Sequence, residues 1–150
     1  MSDSEGRQFV DTNVFVYAYD RQNEAKQRLA RELLKQLWEN RRGCVSIQVL
    51  QELYVTMTKK VAVPLQPGVV AGIISDLSTW NCHKPDVNDI LDAISVQQRY
   101  KTSFWDAMIL NSARKMGCRV LWSENFNTGQ VYEEVLVLNP FDSENSGRYK

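Results

Sequence analysis

Short apolar runs alternate with longer amphipathic stretches along the chain. "RQFVDTN" reads as a short buried strand ending at Asp11. "TNVFVYAY" follows as a short helix that Asp11 is placed to cap, since Asp is a favoured N-cap. From Glu24 to Trp38, Leu29, Leu33, Leu34 and Leu37 recur at helical spacing. "GCVSI" is a second strand. "QVLQELYVTMTKK" returns to helical spacing, with Val49, Leu50, Leu53 and Met57 on one side. The prolines of "VAVPLQPG" break it. Residues 68–79 read as a helix and "TWNCHK" as a short strand. "PDVNDILDAISVQQRY" opens with proline and acids, a helix-start signature. "SFWDAMILNSARKMG" is a further helix closed by Gly117. "CRVLWS" and "EVLVLNP" are the last strands.

Short strands alternating with longer helices predict an α/β domain with a mainly parallel sheet. No repeat, low-complexity tract or linker divides the chain. The expectation is a single domain over residues 1–150, ordered from about 7 to 141, with polar termini. The tail "FDSENSGRYK" is expected to fray.

A length of 150 residues suffices to bury a real core. Hydrophobic and charged shares of 43% and 24% fit a globular protein. No apolar run approaches the roughly 18 residues of a bilayer span, and "MSDSEGRQF" has no signal-peptide character. Cys44, Cys82 and Cys118 form no CxxC pair, so a zinc site or disulfide framework is not indicated. Each lies in or beside an apolar run, and the expectation is buried, reduced thiols in a cytoplasm. Zero net charge argues against a protein that coats nucleic acid. Residues 21–42 nonetheless hold seven bases (Arg21, Lys26, Arg28, Arg31, Lys35, Arg41, Arg42) against three acids. A solvated helix face is the plain reading of that excess, and a phosphate-facing surface is the other.

Four acids fall where a shared site can form. Asp11 ends the first strand and Glu124 follows a later one, both at strand carboxyl ends where parallel sheets gather ligands. Glu52 and Asp106 lie on helices among apolar neighbours, where a carboxylate is costly unless paired or metal-bound. Each also has a plain reading. Asp11 caps a helix, Glu52 faces solvent, and Glu124 is loop polarity. Asp106 completes a capping box with Ser103. Taken together, acids without His or Cys are what magnesium or manganese prefers. The single histidine, His83, reads as an ordinary surface or strand-end residue. No GxGxxG or GxxxxGKS motif supports a nucleotide-cofactor or P-loop site.

Four segments in order, "FVDTNVFVYAYD", "SIQVLQELYVTMTKK", "SFWDAMILNSARKMGCRVLWSENFNTGQ" and "VLNPF", closely resemble the PIN-domain ribonucleases, in particular the VapC-type toxins of bacterial toxin–antitoxin pairs. The resemblance runs from Phe9 to Phe141. It implies a three-layer fold with a five-stranded, mainly parallel sheet between helices. It implies that Asp11 and Asp106 bind a magnesium or manganese ion, with Glu52 as a third catalytic and metal-binding acid. Thr12, Asn13 and Ser123 match polar positions beside the metal. Relatives read Ser/Thr-Glu-Asp where this chain has Ser123-Glu124-Asn125, so the family's fourth acid falls on an amide. Glu124 and Asn125 are therefore auxiliary candidates.

The function this implies is hydrolysis of RNA in single-stranded regions, often of tRNA or ribosomal RNA, by the toxin of a toxin–antitoxin pair. A homodimer and a cognate antitoxin are the implied partners. Arg21, Lys26 and Arg28 are candidates for guiding the RNA backbone. A second reading is a PIN-like RNA- or protein-binding module in which Asn125 weakens or abolishes cleavage. A third, an interaction subunit, rests on Trp80, Trp105 and Trp122, for which core packing is the expected role.

Overall fold

Strands buried on both faces of a parallel sheet need near-continuous apolar sequence, and this chain supplies it. A computed structural model describes residues 6–142. Of the tail expected to fray, residues 143–150 lie outside the described residues, as do residues 1–5, while Phe141 is held, its ring 4.9 Å from that of Tyr17. The strands are β1 (Gln8–Val10), β2 (Gly43–Ser46), β3 (Asn81–His83), β4 (Val120–Trp122), β5 (Val131–Tyr132) and β6 (Val135–Leu138). They form one sheet in the order β3-β2-β1-β4-β6-β5. Every pairing is parallel except that of β5 with β6. All residues of β2 and β4 are buried.

Helices α1 (Thr12–Ala18), α2 (Glu24–Asn40), α3 (Ile47–Val55), α4 (Pro67–Leu77), α5 (Val87–Tyr100) and α6 (Phe104–Lys115) flank the sheet. Their ends follow local chemistry. Asn23 caps α2 by accepting the Lys26 N–H, and Asp86 with Asp89 forms a reciprocal capping box on α5. Pro67 opens α4 at a position where its missing N–H costs nothing. Gly117 takes a φ of 72° after α6, and the Cys118 N–H returns to the Ala113 carbonyl at 3.0 Å. Val49, Leu50, Leu53 and Met57 are all buried, as their spacing predicts. After α3 the chain runs on as one π-helical turn, Thr56–Lys60.

The sequence predicts five strands, and the sheet has a sixth. β5 holds only two residues, and its hairpin turn is Glu133–Glu134, with φ of 49° and 69°. Two-residue turns of this hand usually announce themselves as Asn-Gly or Asp-Gly. Here tertiary contacts impose the turn instead. The Glu133 N–H donates to the Tyr100 hydroxyl at 3.2 Å, and Arg99 pairs with the Glu133 carboxylate.

Two expectations about side chains need correction, those for Cys82 and Trp105. Cys44 and Cys118 are buried free thiols as expected, but Cys82 is only half-buried, because β3 is an edge strand. His83 ends β3, as the strand-end reading has it, and is partly buried: Nδ1 lies 2.7 Å from Ser112 Oγ and Nε2 lies 3.4 Å from Asp89 Oδ2. Trp122 is buried, and Trp80 packs against the rings of Phe15 and Trp38. Trp105, however, is 62% exposed, because Ala107 and the residues after it turn the buried face of α6 to the core. Among the described residues, no helix is long and apolar enough to cross a membrane.

Glu134 sits in the left-handed region without glycine's freedom, so Glu134→Gly is expected to stabilise the protein by about 1 kcal/mol. Urea unfolding of the variant beside the wild type checks this. A loss of stability would mean that the Glu134 side chain contributes more than its backbone costs.

Candidate metal and active site

The register of β1 against β4 decides where the first carboxylate goes. Val10 lies opposite Trp122, and the Asp11 N–H donates to the Trp122 carbonyl at 3.0 Å. Asp11 and Ser123 therefore leave the sheet side by side at its carboxyl end. Ser123 Oγ donates to Asp11 Oδ2 at 2.8 Å. Oδ1 accepts the Thr12 N–H at 2.7 Å, so Asp11 does cap α1, while its other oxygen faces Ser123. Asn13 Nδ2 lies 3.5 Å from Asp11 Oδ2 and 3.4 Å from Ser123 Oγ. Ser123 is wholly buried and also accepts the Asn125 N–H at 3.0 Å.

Glu52 reaches the same region from α3. The Thr12 hydroxyl donates to Glu52 Oε1 at 3.4 Å, and Gln48 Nε2 donates to that oxygen at 3.2 Å. Gln48 stands one helical turn before Glu52, where side chains of a helix meet. It also donates to the Trp105 carbonyl at 3.1 Å, tying α3 to the first turn of α6. Asp106 lies in that turn. Its N–H donates to Ser103 Oγ at 3.0 Å, which bears out the N-terminal half of the expected capping box.

The electrostatics of the three acids are linked. Burial pushes the Asp11 carboxyl up to about 6, against opposing hydrogen bonds from Ser123 and Thr12, and the charges of Glu52 and Asp106 push it the same way. Burial also raises Glu52; the hydrogen bonds from Gln48 and Thr12 oppose it, and the Asp106 charge adds to it. Burial raises Asp106, opposed by a hydrogen bond with Ser103. Burial is the main cause in all three, and the charges of neighbouring acids add a smaller push at Asp11 and Glu52. The plain reading of Glu52 as a solvent-facing residue does not hold, since it is half-buried and held by two donors.

Glu124 stands apart from that set. Lys26 Nζ pairs with Glu124 Oε2 at 2.9 Å and lies 3.2 Å from the Tyr17 hydroxyl and 4.3 Å from the centre of its ring. The Glu124 N–H donates to Asn13 Oδ1 at 3.3 Å. Its backbone therefore belongs to the site's frame, while its charge is neutralised. Asn125 is exposed. Arg21 and Arg28 are exposed too, and among the described residues neither bonds to the acids.

Sequence reasoning missed Gln48 and Lys60. Gln48 had a signal, its spacing of four from Glu52. Lys60 had none. It ends the π-helical turn, whose extra residue shifts the side chains that follow out of α-helical phase. Lys60 is exposed, and its charge opposes the rise of the Glu52 carboxyl.

A family model described as the PIN domain matches residues 9–133. The chain belongs to the PIN-domain family. Solved structures share its fold. A toxin–antitoxin complex from Klebsiella pneumoniae is 20% identical, with a TM-score of 0.66 over 89% of this chain and 97% of that one. VapBC2 of Rickettsia felis, bound to a promoter DNA fragment, is 18% identical, with a TM-score of 0.63 over 88% and 97%. The sarcin–ricin-loop-cleaving VapC toxin of Mycobacterium tuberculosis is 20% identical, with a TM-score of 0.61 over 80% and 89%. A search of curated protein sequences gave no match.

The donor set of this PIN domain suits a hard divalent cation: carboxylate oxygens, partly desolvated and repelling one another. Among the described residues, no three His, Cys, Asp or Glu side chains are gathered tightly enough to hold an ion together. Magnesium does not require that. It is usually held by one or two carboxylates and keeps several waters.

The Asp11 shift makes stability fall as pH rises. Between the ordinary 3.8 and about 6, the unfolded chain has released a proton that the folded chain still holds. At about 1.4 kcal/mol per pH unit, the effect reaches at most about 3 kcal/mol above pH 6. With EDTA present, D11N is expected to gain stability relative to wild type as pH rises from 4 to 7, read by urea unfolding. A constant difference across that range would show that Asp11 is not raised.

Proposed function

We propose that this PIN domain is a divalent-metal-dependent endoribonuclease, the toxin of a toxin–antitoxin pair, that hydrolyses RNA phosphodiester bonds. The observation that supports the reading is the burial of the Asp11 carboxylate beside Ser123 at the carboxyl end of β1, with Glu52 tied to Thr12 of the same segment; burial raises both carboxyls, a burden that a bound cation relieves. Asp11 and Asp106 would hold magnesium or manganese, and Glu52 would contribute directly or through water. Such an ion supplies positive charge to phosphoryl oxygens and acidifies water.

The chain's own residues do the rest. Ser123 and the Thr12 N–H fix the Asp11 carboxylate in place. Gln48 and Thr12 fix Glu52, whose raised pKa suits it to take up a proton at Oε2, the oxygen they leave free. Thr12, Asn13 and Ser123 thus act through the acids. Lys26 serves Glu124 before any RNA. Ribosomal RNA or tRNA is the substrate class the family resemblance favours. A cognate antitoxin fits the likeness to solved toxin–antitoxin complexes. A second copy of the chain fits the exposed stripe of Val87, Ile90, Leu91 and Ile94 on α5, spaced to lie along one helix face.

Cleavage of total RNA with manganese, magnesium or EDTA tests the reading. Activity is expected with either ion and not with EDTA. D11N and D106N are expected to lose at least about 100-fold, since even residues behind metal ligands cost 10–100-fold. Activity indifferent to EDTA and to both variants would refute it.

The rival reading, a binding module without cleavage, draws on Asn125. Its side chain is exposed where an acid is expected, and the adjacent Glu124 is held by Lys26 and does not substitute for it. If the nuclease reading holds, Asn125→Asp raises the rate or leaves it unchanged, and lowers the manganese concentration needed. If wild type is inactive and N125D is active, the amide is what disables the site. Inactivity of both supports the binding module.

A further inference from the structure

Three neighbouring strands of the sheet each begin just after an arginine. Arg7 precedes β1, Arg42 precedes β2 and Arg119 precedes β4. The register sets Gln8 opposite both Gly43 and Val120, so the arginines stand in one row across the sheet. Backbone hydrogen bonds fix that row. The Gln8 N–H donates to the Arg42 carbonyl at 3.0 Å, and the Arg119 N–H donates to the Arg7 carbonyl at 3.1 Å. Neighbouring strands lie about 4.8 Å apart, so three cationic residues share about 10 Å of sheet edge. The strands are parallel, which puts the row at the amino end of the sheet. Asp11 and Ser123 leave at the other end, four residues along the chain from Arg7 and Arg119. That is about 13 Å of strand.

Like charges on neighbouring strands repel, and a partner is needed to offset that. Among the described residues, Arg7, Arg42 and Arg119 form no ion pair. Arg7 Nη1 donates to the Met116 carbonyl at 3.2 Å, which occupies one of its five N–H groups. Arg42 and Arg119 are exposed. Arg42 reaches from β2 over the chain that leads into β1. A Cβ on Gly6 would lie 2.7 Å from Arg42 Nε, so the bare glycine makes room for the guanidinium. Gly6, Arg7 and Arg119 in turn line a cavity of about 350 Å³, together with Gln8, Val120 and Leu136. That volume suits a small ligand or one segment of a larger one. Glu134 is the one acid on its wall, and among the described residues it pairs with neither arginine. Positive charge is therefore in excess.

Guanidinium forks match phosphate oxygens, and several side by side suit an anion with more than one charge. We propose that Arg7, Arg42 and Arg119 form a site for adjacent phosphate groups at the amino end of the sheet, apart from the carboxylates. It stands independently of the nuclease reading, since it needs neither metal nor cleavage. Two sources carry such phosphates: a free polyphosphate, such as that of a nucleotide, and the backbone of an RNA strand lying along the domain.

The test uses the full chain in EDTA, so that no metal at the acids recruits phosphate. Sodium pyrophosphate binding is followed by calorimetry. Binding of a short fluorescein-labelled RNA is followed by anisotropy over a range of salt. A free polyphosphate as ligand predicts saturable pyrophosphate binding at one site. That affinity is expected to fall about 10- to 100-fold in Arg42→Gln and in Arg119→Gln and to persist in Asp11→Asn. RNA as the source predicts RNA binding without pyrophosphate binding. The slope of log affinity against log salt then falls by about 0.7 for each arginine removed. In either case R42K and R119K restore part of the loss, because the charge stays while the fork goes.

No binding of either probe by wild type overturns the proposal. So does binding that R42Q and R119Q leave unchanged. So does binding that appears only in D3N/E5Q, since the chain's own acids would then occupy the row. The two readings separate. If wild type cleaves RNA with manganese and R42Q and R119Q bind both probes as wild type does, the arginine site fails and the nuclease reading stands. If binding depends on the arginines in a protein that never cleaves, the nuclease reading fails and the arginine site stands.

Discussion

The hydrogen bond from Ser123 to Asp11 follows directly from the parallel register of β1 and β4, and most of the site's geometry depends on it. Two adjacent parallel strands that end together release their next residues at the same height. Here one is an acid and the other a hydroxyl. The hydroxyl donates to the acid and accepts from Asn13 and Asn125, so a buried carboxylate keeps its orientation without a countercharge. The net effect of burial still wins, and Asp11 is raised. A group held charged-ready in a place that disfavours its charge is poised for a cation. This is the physical reason the acids read as a site instead of as separate caps and surface residues.

The arrangement also separates two kinds of acid that look alike in sequence. Asp11, Glu52 and Asp106 repel one another and have neutral donors as partners. Glu124 has Lys26, and Lys26 is itself held by Tyr17 and the rings of Tyr17 and Phe141. An acid already paired at 2.9 Å has less to gain from a metal than one that is not. Lys26 closes the loop after β4 onto α2 and so shapes the far wall of the site. Asn125 adds its backbone to Ser123 and leaves its amide in solvent.

The long helices, the parallel strands and the places of Asp11 and Asp106 at a strand end and a helix start were legible in the sequence because each has a strong local signature. Leu33 and Leu37 mark a helix face, "FVD" marks a strand end, and Ser103 with Asp106 marks a helix start. What was not legible came from tertiary context. The Glu133–Glu134 turn carries no turn residues, since Tyr100 and Arg99 hold it in place. The π-helical turn that ends at Lys60 has no composition cue. Trp105 is an apolar letter in an apolar helix, and only the phase of α6 turns it outward. The Lys26 pair joins residues 98 positions apart.

The central claim is that these acids hold a divalent ion. A crystal structure of the wild-type protein grown with manganese, with anomalous data at its absorption edge, tests it most directly. The account predicts an anomalous peak about 2.0–2.3 Å from carboxylate oxygens of Asp11 and Asp106, with Glu52 bound or one water away. A peak at Lys26-free Glu124 instead, or no peak near Asp11 in crystals of protein that cleaves RNA with manganese, would contradict it.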